Sequence, residues 1–153
     1  RDGLRPIRPD LWRLPEGEIA EIPVTTMPFF RIPIHQSYLV CLGVFSPALA
    51  LNYFNVALRM CRLSGIGPSF LLHPTDFLGG DDGQSLAFLP GMNLPRNSKM
   101  ELVSEVIQRL TDEFTVVTLR DHALEAVKRP DLPTVEPRFP KAMLSRSTVR
   151  ASR

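Results

Sequence analysis

The sequence has no surplus of either charge. Eighteen Lys and Arg stand against 16 Asp and Glu, a formal net charge of +2. Such a balance sets up no strong field for a polyanion, so the chain does not read as a nucleic-acid binder. Cysteine is scarce too. Cys41 and Cys61 are the two present, both in apolar sequence of helical character, and they read as buried free thiols rather than a disulfide. No Cys-x-x-Cys pair or Cys/His cluster offers a zinc site. Neither a Gly-x-Ser-x-Gly elbow nor a Walker loop occurs. The opening RDGLRPIRPDLW lacks the apolar core of a secretion signal. With Arg1 in first place the chain reads as cut from a longer one, which leaves the compartment open, the cytoplasm being slightly favoured.

Apolar residues make up 44% of the chain, enough to bury a core. The 15 prolines crowd towards the two ends. Residues 1–17 are rich in Arg and Pro and read as an irregular lead-in. A short strand is expected at 19–25 (IAEIPVT), limited by Pro23, and 27–35 (MPFFRIPIH) stays extended because each proline disfavours helix before it. No charged residue occurs from 36 to 58, a length that could suggest a membrane span. Ser46-Pro47 splits that stretch, as an N-cap serine followed by a first-turn proline. The half after it is amphipathic: Ala50, Phe54, Ala57, Leu58 and Cys61 share one face, and Asn52, Asn55, Arg59 and Arg62 the other. Gly65 is the natural stop.

A buried strand is expected at 69–73 (SFLLH), then a long loop over 78–97. Within that loop Asp81-Asp82 reads as a solvated acidic turn rather than a cation site. Ser98-Lys99-Met100-Glu101 matches a capping box, and Val103, Val106, Ile107, Leu110 and Phe114 follow at helical spacing. A third strand is expected at 114–119 (FTVVTL), and a last helix over 120–129, ended by Pro130. Residues 130–153 read as a disordered basic tail. The alternation of strands and helices over 18–129 implies an α/β fold with parallel strands, either part of a sheet or the last part of a βα barrel.

In such folds ligands bind where strands end. His73 occupies one such end, and its imidazole can give or take a proton near neutral pH. Asp76, three residues on, could orient His73 or merely cap the loop. His35, after the first extended segment, could face the same end, whereas His122 reads as exposed.

Glu21-Ile-Pro-Val-Thr25, then a helical insertion, then Phe70-Leu-Leu-His-Pro-Thr-Asp-Phe77 resembles the C-terminal part of the polysaccharide deacetylases. The likeness covers roughly residues 18–126. It implies a distorted (β/α) barrel and a hydrolase that removes acetyl groups from an acetylated saccharide or glycan. It also implies a divalent metal, commonly zinc, held by one aspartate and two histidines, with a second aspartate as general base. On this likeness His73 is the general acid and Leu71 lines the acetyl pocket; Asp76 and His35, singled out by position alone, are further substrate-side candidates. The family's Thr-Phe-Asp-Asp-Gly motif, its paired histidines and its Arg-x-Pro-Tyr motif are absent, and His35, His73 and His122 do not replace them. The metal and the N-terminal part of the barrel are therefore expected from outside this chain, which alone should be inactive. The alternative is a non-catalytic α/β module that binds a glycan or a partner.

Overall fold

The computed structural model describes residues 7–83, 86–89 and 91–136. They form a mixed α/β structure with four helices and one small, mixed three-stranded sheet. The sheet comes from unexpected places. Strands β1 (Asp10–Leu14) and β2 (Gly17–Glu21) make an antiparallel hairpin, in register from Leu14↔Gly17 to Asp10↔Glu21. The Trp12 indole N–H donates to the Glu21 carboxylate across it. Strand β3 (Thr134–Val135) lies parallel to β1 on its other edge, giving the order β2-β1-β3. The lead-in expected to be irregular thus carries a strand, and the expected tail begins with one. Residues 1–6 and 137–153 lie outside the described residues.

The helices follow the local chemistry more closely. Helix α1 (Gln36–Phe45) ends where Pro47 pushes Ser46 into extended backbone, at φ −165° and ψ 123°. Ser46 then caps helix α2 (Pro47–Leu63), its hydroxyl accepting the Leu49 N–H at 3.3 Å. The residues α2 buries are Ala50, Phe54, Ala57, Leu58 and Cys61, the face expected from periodicity. Gly65, at φ +63°, stops the helix. Bonds from Ile66 N–H to Cys61 O (2.9 Å) and from Gly65 N–H to Arg62 O (3.1 Å) satisfy its last carbonyls.

Helix α3 (Arg96–Glu113) starts before the expected Ser98. Its first N–H, that of Arg96, donates at 2.7 Å to the Asp81 carboxylate, 15 residues away, so a distant side chain takes the place of the local capping box. Asp82 accepts the Gly79 N–H at 2.9 Å and pairs with the Arg96 guanidinium at 3.2 Å. These hydrogen bonds and the pairing with Arg96 hold its carboxyl below the usual range, and the acidic turn is a clamp on α3. Helix α4 (Leu119–Val127) is capped by Thr118, whose hydroxyl accepts the Asp121 N–H at 3.1 Å. Among the described residues no helix is long and apolar enough to cross a membrane.

Leu39 and Val40 of α1, Ala50, Phe54 and Leu58 of α2, and Leu102, Val106 and Leu110 of α3 pack into one core. Met27, Ile34, Ala57, Cys61 and Ile66 form a second cluster. Residues 27–35, expected to stay extended, instead fold back in a turn at 28–30, with Phe29 at φ 68°, Arg31 at φ 56° and the Arg31 N–H donating to Met27 O at 2.8 Å.

Two expected strands are not strands. Residues 69–73 and 114–118 run extended but join no ladder among the described residues. The first makes isolated backbone bonds, from Thr25 N–H to Ser69 O (3.1 Å) and from Gln36 N–H to Leu71 O (3.0 Å). A short apolar run specifies neither burial nor pairing by itself: Leu72, Val116 and Val117 stay exposed, and a strand exists only when a neighbour supplies the other half of each bond. The expected strand at 19–25 is likewise shorter: β2 stops at Glu21, two residues before Pro23. The regular alternation of parallel strands and helices is therefore not what the described backbone adopts.

Candidate functional site

The first turn of α1 and the loop after 69–73 meet at one place. The chain reaches it because Pro74 ends the extended run and a 3-10 turn, Pro74–Asp76, folds back under His73. The His73 N–H donates to Asp76 Oδ2 at 2.8 Å and closes the turn. Ser37 crosses from α1: its hydroxyl donates to Asp76 Oδ1 at 2.7 Å, and its oxygen lies 3.0 Å from His73 Nδ1. Asp76 is buried, 3% exposed, and both carboxylate oxygens are taken by protein donors. It thus does both things considered for it: it caps the loop and, through Ser37, reaches the imidazole. The direct distance from His73 Nδ1 to Asp76 Oδ2 is 3.8 Å. The His73 side chain is 47% exposed.

A second imidazole stands beside it. The His35 ring lies edge-on to that of His73, with centroids 6.3 Å apart, and edge-on to Tyr38 at 6.4 Å. His35 is the residue before α1, its carbonyl accepting the Tyr38 and Leu39 N–H groups. Its Nδ1 is buried without a hydrogen-bond partner among the described residues, as are both amide atoms of Gln36. Tyr38 packs on Tyr53 at 5.6 Å, and the Tyr53 hydroxyl donates to Pro33 O at 2.8 Å. Burial, helped by Tyr38, pushes the Tyr53 phenol well above its ordinary range.

Below the turn sits Lys99 of α3, 1% exposed. Its ammonium donates to Thr75 O at 3.1 Å and lies 3.3 Å from Met92 Sδ. Burial holds its pKa below the ordinary lysine value, while Asp76 and, to a lesser extent, Cys41 and Asp82 pull the other way. The lysine thereby ties α3 to the loop that carries His73.

Leu71 is half-buried and borders an apolar groove of about 380 Å³. Ile22, Val24, Phe70, Leu72, Val116 and Val117 are among the residues that line it, and Val24, Leu72, Val116 and Val117 are exposed. The extended segments 22–25, 69–72 and 114–118 thus lie around one groove. His122 is half-buried at the same groove, not on the open surface.

The structure brings His73, Asp76 and His35 together, and Leu71 lies just before His73 in the chain. Ser37 and Lys99 carry no legible signal in sequence. Ser37 is one polar residue in an uncharged run, and Lys99 lies inside a motif that local rules assign to a solvated cap. Among the described residues no group of three or more His, Cys, Asp or Glu side chains is placed to hold one ion. These residues do not fit the metal that the resemblance implies, and no step is derived through it. No protein-family model, curated protein or solved structure matches the chain.

Proposed function

We propose that the chain is the C-terminal portion of a polysaccharide deacetylase, contributing His73 as the general acid that protonates the leaving amine of an acetylated sugar. The observation that carries this reading is an adjacency. The two segments that hold the resemblance, 21–25 and 70–77, are brought side by side by bonds between Thr25 and Ser69, the residue before the second segment and 44 residues from Thr25: Thr25 N–H to Ser69 O at 3.1 Å and Ser69 N–H to Thr25 Oγ1 at 2.7 Å. His73 follows on the second segment, with its ring half-exposed over a buried carboxylate.

The chemistry asked of His73 is simple. When the C–N bond of the acetamide breaks, its electron pair goes to the nitrogen. That nitrogen takes the proton from Nε2–H, whose bonding pair stays on the ring. Correctly placed, such a transfer is worth about 10² to 10⁴ in rate. In this proposal a divalent metal, which would polarise the carbonyl and lower the pKa of a bound water, would be held by residues other than those described here. The exposed apolar groove supports the same reading. Val24, Leu72, Val116 and Val117 are what a barrel wall would show where neighbouring strands had been taken away. In this proposal the distorted (β/α) barrel is completed by those strands.

The same groove also favours the alternative, an α/β module that binds a partner or glycan without chemistry. Acetate release from an acetylated chitooligosaccharide separates the two. The chain alone, with zinc added, should release none. The protein encoded together with the sequence upstream should release it, and His73→Gln there should cut turnover by about 10² to 10⁴ without loss of bound metal. Full turnover in that variant would remove His73 from the mechanism. No turnover in any form of the whole protein would leave the binding module.

A further inference from the structure

The placement of Ser37 decides which nitrogen of His73 is free. An ionised carboxylate only accepts, so the contact of 2.7 Å to Asp76 Oδ1 uses the single proton of the Ser37 hydroxyl. The oxygen is left with lone pairs alone, and it faces His73 Nδ1 at 3.0 Å. A hydrogen bond there requires the hydrogen on Nδ1. We infer that Ser37 is a positioning residue which holds the neutral His73 ring as its Nδ1–H tautomer, leaving the Nε2 lone pair for the exposed side. Asp76 enforces this from behind, since its buried carboxylate orients the serine and its other oxygen is engaged by the His73 N–H at 2.8 Å. Lys99 holds the turn from below through Thr75 O at 3.1 Å.

Free neutral imidazole carries its proton mainly on Nε2, so the arrangement reverses the intrinsic preference. The reversal matters for the proposed reaction, on which its catalytic consequence rests. An imidazolium that gives up the Nε2 proton becomes the Nδ1–H form at once. The Nδ1–H···Oγ bond is the same before and after the transfer, and nothing at Ser37 needs to turn over. A tautomer held the wrong way round is costly: in a serine protease triad, losing the group that fixes it lowers turnover by about 10⁴.

The tautomer can be read without any activity. In the chain labelled with 15N at histidine, long-range 1H–15N correlation separates the rings of His35, His73 and His122, and His73→Gln identifies the signals of His73. As a neutral ring, His73 should show a protonated Nδ1 and a bare Nε2. Ser37→Ala should shift the ring towards the Nε2–H form, and Ser37→Thr should restore the parent pattern, because threonine keeps the hydroxyl. An Nε2–H ring in the parent chain, or a pattern indifferent to Ser37→Ala, would overturn the inference even if the whole protein proves to be a deacetylase. In that whole protein Ser37→Ala should lower kcat at least about tenfold with KM unchanged, and Ser37→Thr should recover it. An unaltered kcat beside a shifted tautomer would leave the tautomer assignment standing and count against the deacetylase reading.

Discussion

Two regions of this molecule use the same kind of side chain to opposite ends. The three-helix core and the extended side at 22–25, 69–72 and 114–118 are both rich in Val, Leu and Phe. In the core, Leu39, Phe54, Leu58 and Val106 are all at most 1% exposed, whereas Val116 is 58% and Val117 52% exposed on the other side. The difference lies in the backbone. A helix satisfies its own N–H and C=O groups, so its apolar face is free to pack at once. An extended run satisfies half of its groups at best until another chain segment lies alongside. Burial is thus completed where it needs only local hydrogen bonds, and left open where it needs a neighbour.

The largest test of that contrast is Phe54→Ala. Phe54 is fully buried, and its ring packs on Phe70 at 5.4 Å, so removing it should cost about 3–5 kcal/mol in chemical unfolding. A loss below about 1 kcal/mol would mean that the helices are not packed as described.

Alkaline pH sharpens the same point. Burial pushes the Cys61 thiol from 9.0 up to about 11. Between those values the unfolded chain ionises its thiol while the folded one keeps the proton. Stability should therefore be intact below pH 9 and fall as pH rises towards 11, at up to about 1.4 kcal/mol per pH unit. Tyr53 acts with the same sign at higher pH. Lys99 acts with the opposite sign, because its folded ammonium gives up its proton below the ordinary 10.5. Unfolding midpoints of the parent and Cys61→Ala across this range should converge as pH rises. Parallel curves would place the thiol in water.

A smaller effect is expected at the clamp on α3. Asp81→Ala removes the acceptor of the Arg96 N–H and should cost about 0.5–2 kcal/mol, with the dependence on denaturant unchanged. Ser98→Ala should cost less, since the helix begins before it.

The smallest effect belongs to the extended side. Val117→Lys should change the stability of this chain by no more than about 0.5 kcal/mol, because the side chain already faces water. If the groove is a barrel wall completed by further strands, the same change in the whole protein should cost about 2 kcal/mol or more. Equal effects in both settings would argue that the groove is never covered.

Much of the helical part was legible. Ser46-Pro47 and Gly65 marked the ends of α2, and a period near 3.6 picked out the face carrying Ala50, Phe54, Ala57, Leu58 and Cys61. These are short-range effects, readable from a few consecutive residues. The start of α3 lies before the Ser98 that the local capping box indicates, because Asp81 does the capping from a distance, which no local motif reports. The β1–β3 pairing joins Leu11 to Thr134 and Trp12 to Val135, across nearly the whole described chain, between segments whose prolines and charges read as irregular. At the candidate site, His73 stood out as a titratable group at the end of an apolar run, and Asp76 as its neighbour in sequence. Ser37 is invisible without the fold, since only the approach of α1 brings its hydroxyl between them.

The letters alone thus settled the amphipathic face of α2 and where that helix starts and stops, because each depends on contacts only a few residues apart, whereas the strand expected to end at His73 does not form, since pairing needs a distant neighbour. Tertiary structure alone decided which side chain would cap α3, which serine would bridge Asp76 and His73, and which apolar runs would remain uncovered. Those outcomes rest on groups tens of residues apart meeting at hydrogen-bond distance, and a linear pattern carries no measure of that distance.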